Sequence, residues 1–340
     1  MYVRLLDCKK CVHRSHRTLT YSCREILAIA QCFLFQEQPK YMRDHEPRNY
    51  FLYDRDTGKQ VLDWPIWAVA VAVLTCIGLL IGIILFVVFL IFYPIRGGTT
   101  VLGFLGMLGI FGIYAINFAF FLPASMSTCG AREFLMGVLY AVAIAPLLVK
   151  SIDNWRFKDT EYSPDRYVGL TNPCALVLIT LGIILVQCII PIEWLVLKPP
   201  SASMMGDSTN QHDWMWCDPH DFYDISLVLS MVFVIFLVLL TAIFSALSWD
   251  SESNYFESRW IFVSTICTAG CFLVWMVVST NAGPPYRDPA VAIANLVNAT
   301  AFLLCGPFRK CILLIKFKFE EDQVKSLPAD DASESWFVIT

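Results

Sequence analysis

An all-α membrane protein, a seven-transmembrane-helix bundle with its N-terminus outside and its C-terminus inside, is the fold class that three observations predict. The 340 residues are 57% hydrophobic and only 16% charged, where a soluble domain carries about a quarter charged residues, and the mean hydropathy is +0.58. Seven separate apolar runs are each long enough to cross a hydrocarbon core that takes ~20 residues of helix. The short segments between them carry Lys and Arg preferentially on one side. Strict alternation of apolar and polar residues is missing, which excludes a β-barrel.

The runs can be taken in order. The first, 66–92, is apolar throughout and carries Gly78 and Gly82 as a GxxxG pair. The second, 101–121, repeats glycine at Gly103, Gly106, Gly109 and Gly112 and holds one polar residue, Asn117. Small residues let helix backbones approach in lipid, where hydrophobic drive between helices is missing; at a spacing of three the stripe winds around the helix, which favours packing inside one bundle over dimerisation. The third, 134–149, is short by strict apolarity and becomes a full crossing as 129–150 with polar ends. The fourth, 174–197, contains Gln187 and, at its outer end, Glu193; the fifth and sixth are 225–247 and 260–279; the seventh, 289–308, holds Asn295 and Asn298.

Positive charge resists translocation, so the loops orient the bundle. Lys150, Arg156, Lys158 and Arg166 follow the third run, and Arg309, Lys310, Lys316 and Lys318 follow the seventh; the opposite loops show only Arg132, Lys198 and Arg287. The first 63 residues oppose this assignment with 11 basic residues, of which only Arg48, Arg55 and Lys59 lie near the first run, beside Asp54, Asp56 and Asp63. The expected organisation is an extracellular N-terminal tail over 1–63, a seven-helix domain over 64–317 and a short cytoplasmic tail over 318–340. The apolar stretch 26–35 leaves residues 1–36 open to reading as an uncleaved or mis-assigned signal region.

A net charge of −4 argues against nucleic acid as a partner, because such binders need a basic face for the phosphates. Cys8, Cys11, His13 and His16 offer four zinc ligands, but one residue between the pairs is too little chain to fold around a metal. His212, Asp213, Asp218, His220 and Asp221 surround Cys217, where solvated loop residues beside a disulfide are the simpler account. No metal or cofactor is expected. Acids and bases are missing from the middle of every run, which speaks against ion-coupled transporters and carboxylate-ringed channels; a catalytic carboxylate pair or metal-binding His motif is missing too, so no enzyme is expected. Asn117, Asn295 and Asn298 form the polar bundle interior, with interhelical hydrogen bonding as the leading role.

Local motifs carry a resemblance. Cys129-Gly-Ala-Arg132-Glu133-Phe134, leading to Ala145-Pro-Leu-Leu-Val-Lys150, resembles the third helix of class C (family 3) G-protein-coupled receptors. Asn254-Tyr-Phe256-Glu257-Ser-Arg-Trp-Ile261 is similar to the class C approach to the sixth helix, stretched by one residue, and Gly306-Pro307-Phe-Arg-Lys310 resembles a loose form of the family's Pro-Lys ending. Within that class, Tyr114 to Ala124, Ser151 to Trp155 and Arg287 to Ile293 are similar to the bride-of-sevenless family, the last also to the retinoic-acid-induced orphan receptors.

The resemblance implies a cell-surface receptor of the plasma membrane that passes an extracellular or intrabundle signal to a cytosolic G protein or adaptor, with a dimer as one assembly. Its alternative is a membrane-tethered ligand for a receptor tyrosine kinase on an apposed cell, the bundle serving as anchor. It further implies a disulfide between Cys129 and Cys217, the cysteines that fall in the outer loops, and an ionic lock between Lys150 and Glu257. The sixth-helix aromatic switch falls at Phe272 by count from Glu257, with the nearest indole one turn on at Trp275. Cys311, among inner basic residues, is a palmitoylation candidate.

Overall fold

The computed structural model describes residues 51–54, 60–62, 66–92, 98–122, 124–160, 173–197, 199–200, 202–206, 212–217, 223–250, 257–281, 284–313 and 315–316. The N-terminal cysteine and histidine cluster, the signal-like stretch and the 318–340 tail lie outside these residues.

Seven helices cross in sequence: α1 (Ile66–Phe92), α2 (Gly98–Phe121), α3 (Met126–Thr160), α4 (Pro173–Leu197), α5 (Tyr223–Leu247), α6 (Glu257–Asn281) and α7 (Pro284–Leu303). Each has a stretch apolar and long enough to span a bilayer. Helix α1 coincides with its predicted run at both ends, whereas α3 continues ten residues past Lys150. Hydropathy registers lipid contact rather than helix, so the polar inner extension of α3 was invisible to it. Helix α3 occupies the centre: 61% of its spanning window is buried, against 22% in α1 and α4. The outer helices turn Val73, Ile77, Leu80 and Ile84 of α1 and Leu178, Leu181, Leu185 and Ile189 of α4 outward, the apolar surface that lipid covers in place of water.

Glycine sets the helix spacing. A methyl on Gly109 would overlap the backbone of Ala143, and one on Gly112 would meet Leu139, so α2 lies directly on α3. Gly78 and Gly82 of α1 receive the rings of Tyr114 and Phe111 from α2, while Gly103 and Gly106 face open space. The stripe thus serves α3 on one side, and both glycines of the α1 GxxxG pair receive α2. Helical hydroxyls bond back to their own turn, as Thr180 to the Leu176 carbonyl at 2.8 Å and Thr241 to that of Leu237 at 2.7 Å; in lipid every polar group needs such a partner.

Helix α7 passes into a π-turn over Leu304–Phe308 that contains Pro307, then resumes. Pro307 has no N–H to give an i→i−4 bond, and the wider turn rotates the following residues relative to a regular helix.

A small sheet caps the outer side, beyond what the hydropathy pattern anticipated. Strands β1 (Phe51–Asp54), β2 (Gln60–Leu62), β3 (Ala202–Gly206) and β4 (His212–Cys217) lie in the order β2-β1-β4-β3, all antiparallel. β3 and β4 form a hairpin in the loop after α4, and β1 adds to its edge with Tyr53 opposite Asp213. The chain entering α1 is therefore paired to the loop entering α5.

Candidate functional site

Two polar centres interrupt the apolar interior, one at the inner ends of α3, α6 and α7 and one halfway along them; an anchor at the outer end fixes α3.

At the inner centre, Lys150 sits on the last part of α3 that the bundle buries, and Glu257 is the first residue of α6. The Lys150 ammonium donates to Glu257 Oε1 at 2.6 Å, and Lys310, carried round by the π-turn of α7, reaches the same oxygen at 2.6 Å. Both side chains of the Lys150–Glu257 pair are 11% exposed, that of Lys310 36%. An acid joined to two ammonium groups in such a place interacts more strongly than an exposed pair. Asn154 Nδ2 donates to Ser258 Oγ at 3.2 Å one turn deeper into the cytosolic side, adding a neutral α3–α6 bond. Arg309 lies over the Trp260 ring at 4.9 Å, a second α7–α6 contact.

The resemblance implies the Lys150–Glu257 pair without Lys310 as a third partner. The basic pair Arg309 and Lys310 was visible, but which of them faces α6 depends on the turn at Pro307.

Halfway along, Tyr140 of α3 is the node. Its hydroxyl donates to Asn295 Oδ1 at 3.0 Å and accepts from Asn298 Nδ2 at 2.8 Å. Asn295 and Asn298 are three residues apart on α7 and share a face. Phe272 packs edge-on against the Tyr140 ring at 5.0 Å and touches the Trp275 ring at 6.5 Å. Both aromatic switch candidates are buried, and Phe272 makes a ring contact with α3. Asn117 turns instead toward α1, donating to Thr75 Oγ1 at 3.3 Å. Tyr114 of α2 shares a 3.0 Å hydrogen bond with Thr300 of α7. Asn117 Oδ1, Asn295 Nδ2, Asn298 Oδ1 and Trp275 Nε1 are buried with no hydrogen-bond partner among the described residues. Tyr140 belongs to no motif in the sequence; what marks it is a tyrosine deep in an apolar run, whose hydroxyl needs a partner.

On the flank, Gln187 of α4 donates to the Ser230 carbonyl of α5 at 3.0 Å. A methyl on Gly137 would collide with the Gln187 amide, so this glycine makes room for the α3–α4–α5 junction.

At the outer end, Cys129 at the head of α3 is joined to Cys217 at the end of β4. Beside it, the buried Arg132 closes off the end of α2: Nε donates to the Ala119 carbonyl at 3.0 Å and Nη2 to that of Leu122 at 2.9 Å. Carbonyls at a helix C-terminus lack helical partners and carry partial negative charge. Nη1 reaches Asp288 of α7 at 3.1 Å, and the guanidinium lies 5.1 Å from the Phe120 ring centre. A planar fork with five donors can hold three elements at once. In the sequence Arg132 stands out only as one of three cations in the outer loops, with Lys198 and Arg287.

Cys311 is 4% exposed and packs in the main core. A thiol in that position faces the bundle, and a palmitoyl chain needs one that faces lipid, so acylation would require the end of α7 to move. Among the described residues no cluster of three or more His, Cys, Asp or Glu side chains comes together.

The family model described as "7 transmembrane sweet-taste receptor of 3 GCPR" matches residues 62–310. The protein "G-protein coupled receptor family C group 5 member C" of Bos taurus is 28% identical over 201 residues, covering 55% of this chain and 43% of that relative. Its Homo sapiens counterpart is 27% identical over 200 residues with the same coverage. The "group 5 member B" protein of Mus musculus is 26% identical over 255 residues, covering 70% of this chain and 57% of that relative. The chain thus spans about half the length of the curated relatives it matches.

Proposed function

The chain belongs to the class C, sweet-taste-receptor-type seven-transmembrane family, and on that premise we propose that it is a signalling receptor whose inner helix ends are held in a resting arrangement by Lys150, Glu257 and Lys310. It is a multi-pass protein of the plasma membrane. The observation that carries this reading is the shared carboxylate: Glu257 Oε1 binds Lys150 of α3 and Lys310 of α7 at once, so α6 cannot swing away from either neighbour without breaking a contact, nor leave the bundle's inner end without breaking both. A signal that favours an outward α6 competes directly against these bonds, and a ligand can shift such an equilibrium only by its differential affinity for the two arrangements.

The middle centre supplies the means of transmission. Tyr140, Phe272, Asn295 and Asn298 join α3, α6 and α7 above the lock, so a change at the outer face or within the bundle that moves Phe272 alters the contact of α6 with α3. The partner on the cytosolic side is a G protein or an adaptor that takes its place, and the receptor assembles as a dimer.

The test is basal nucleotide exchange in membranes from cells expressing the full chain with a panel of G proteins. Glu257→Gln keeps size and one acceptor oxygen but discharges the carboxylate, and it is expected to raise basal exchange at equal surface level. Lys150→Glu combined with Glu257→Lys is expected to return it part of the way. Unchanged exchange in both, in a system where the wild type couples, rejects the lock.

A further inference from the structure

Under the lock lies a cavity of about 280 Å³. Its wall comes from α2, α3, α6 and α7 with the end of α1, and it includes Gly103, Gly106, Pro146, Trp260, Pro307 and, at one side, Glu257. Two backbone features shape it, and a third marks one side. Gly103 and Gly106 have no atom within 4 Å of where a methyl would stand, so the stripe that draws α2 onto α3 at Gly109 leaves a gap one and two turns nearer the cytosol. The π-turn carrying Pro307 widens α7 on the opposite wall. Glu257, 8% exposed, keeps Oε2 buried and without a hydrogen-bond partner among the described residues, whereas Oε1 takes both lysines.

A buried carboxylate oxygen with no donor is costly; Oε2 is covered in this arrangement, while Glu257 as a residue lines a largely apolar space of useful size, so a donor in that space reaches Oε2 once the carboxylate turns toward it. A cavity of ~150 Å³ lined by aliphatic side chains holds one benzene ring, so this one accommodates about two fused rings. The open acceptor calls for an N–H or O–H. A cationic donor is disfavoured by Lys150 and Lys310, and an anion is disfavoured by the carboxylate itself.

We propose that this inner cavity is a binding site for a compact, uncharged, mainly apolar molecule of roughly ten to a dozen heavy atoms that carries one hydroxyl or N–H group, which donates to Glu257 Oε2. Bound there, it touches α2, α3, α6 and α7 together and adds a further bond to the carboxylate, holding the inner ends closed. The closed-state effect rests on the lock reading above; the binding does not.

The experiment uses the purified full chain in detergent with 2-naphthol, naphthalene and 2-naphthoate as probes, read by equilibrium binding and by thermal unfolding. Saturable binding of 2-naphthol is expected, at least tenfold tighter than that of naphthalene, with a raised Tm. Gly106→Phe places a ring in the gap and is expected to abolish saturable binding. Gly103→Leu, filling the same gap from the next turn, serves as the second variant should the first not fold. Equal affinity for naphthalene and 2-naphthol overturns the donor contact. Preference for 2-naphthoate overturns it in favour of an anion site on the lysines. Binding that persists in both filled variants places the probe elsewhere and overturns the cavity. Basal exchange is then measured with 2-naphthol present: a fall supports closure, and no change alongside saturable, donor-dependent binding leaves the site standing and counts against the lock.

Discussion

At Lys150 and Lys310 the same carboxylate oxygen is held at the same distance, yet the two lysines are not equivalent. Lys150 is 9% exposed as a residue, while the Lys310 side chain is 36% exposed. Removing one partner of an isolated buried pair costs about 3 to 5 kcal/mol, an upper bound for Lys150 because Glu257 keeps Lys310, whereas an exposed pair contributes ~0 to 1 kcal/mol. Lys150→Ala is therefore expected to raise basal exchange well beyond Lys310→Ala, and a difference of ~1.4 kcal/mol between them is tenfold in the active-to-inactive ratio. Dose-matched expression with nucleotide exchange as readout checks the order; equal effects would mean that both ammonium groups are solvated.

Tyr140 offers the neutral counterpart. Its hydroxyl is donor to Asn295 and acceptor from Asn298, whose remaining amide atoms already lack partners. Tyr140→Phe leaves two more buried groups open and is expected to lower stability by about 1 to 2 kcal/mol, the range for stranded polar groups tempered by the modest value of interhelical bonds in membranes. Adding Asn295→Leu and Asn298→Leu removes the stranded groups and should recover most of the lost Tm in detergent.

Among the elements, α2 separates what was legible in the sequence from what was not. Its glycine stripe was plain, and so was the expectation that it packs within the bundle. Which glycines touch a neighbour was not, because period three walks around the helix and the partner surface is set by α3 and α1. Gly109→Ala pushes a methyl into the Ala143 backbone, which has no rotamer to change, and is expected to cost about 1 to 3 kcal/mol as overpacking does. Gly103→Ala meets open space and gains helix propensity of up to ~1 kcal/mol. Thermal unfolding of the two single variants gives opposite signs; a loss of similar size at both would show that helix geometry, not contact, governs the stripe. The same distinction explains the other elements. The apolar run that became α1 was readable to the residue since it opens directly after Pro65 and stops just before Pro94. The sheet was not, because strands of three to six residues have too little pattern to stand out and close into one sheet only through pairing between positions 162 apart, Leu52 with Trp214. Lys310 reaches Glu257 just after the π-turn, a backbone event that no hydropathy profile records.

Over the whole molecule, α3 connects a covalent anchor to an ionic one. Cys129 and Lys150 lie 21 positions apart, ~32 Å along a helix rising 1.5 Å per residue. The outer anchor closes a loop of 88 residues, which the chain-entropy account values at up to ~4.5 kcal/mol; insertion in the membrane already restricts the open chain, so that figure is an upper bound. It also fixes β4, and through the sheet β1, to the head of α3. Sites this far apart with no shared partner add in stability to within about 0.5 kcal/mol, so the pair Cys129→Ser with Glu257→Gln should lower unfolding stability by the sum of the single effects. Signalling obeys a different rule if α3, α6 and α7 move between two arrangements, because each mutation then biases one shared equilibrium. With the lock intact, releasing the outer anchor acts on a resting population far from balance and shifts basal exchange little. With Glu257→Gln in place the equilibrium lies closer to its midpoint, and the same release is expected to produce a larger change in exchange. A double-mutant cycle measured on basal exchange at matched surface level, beside the cycle on unfolding, is the check: additive stability with non-additive signalling marks a two-state bundle, and additivity in both would mean that the two ends of α3 are held independently and that no shared switch joins them.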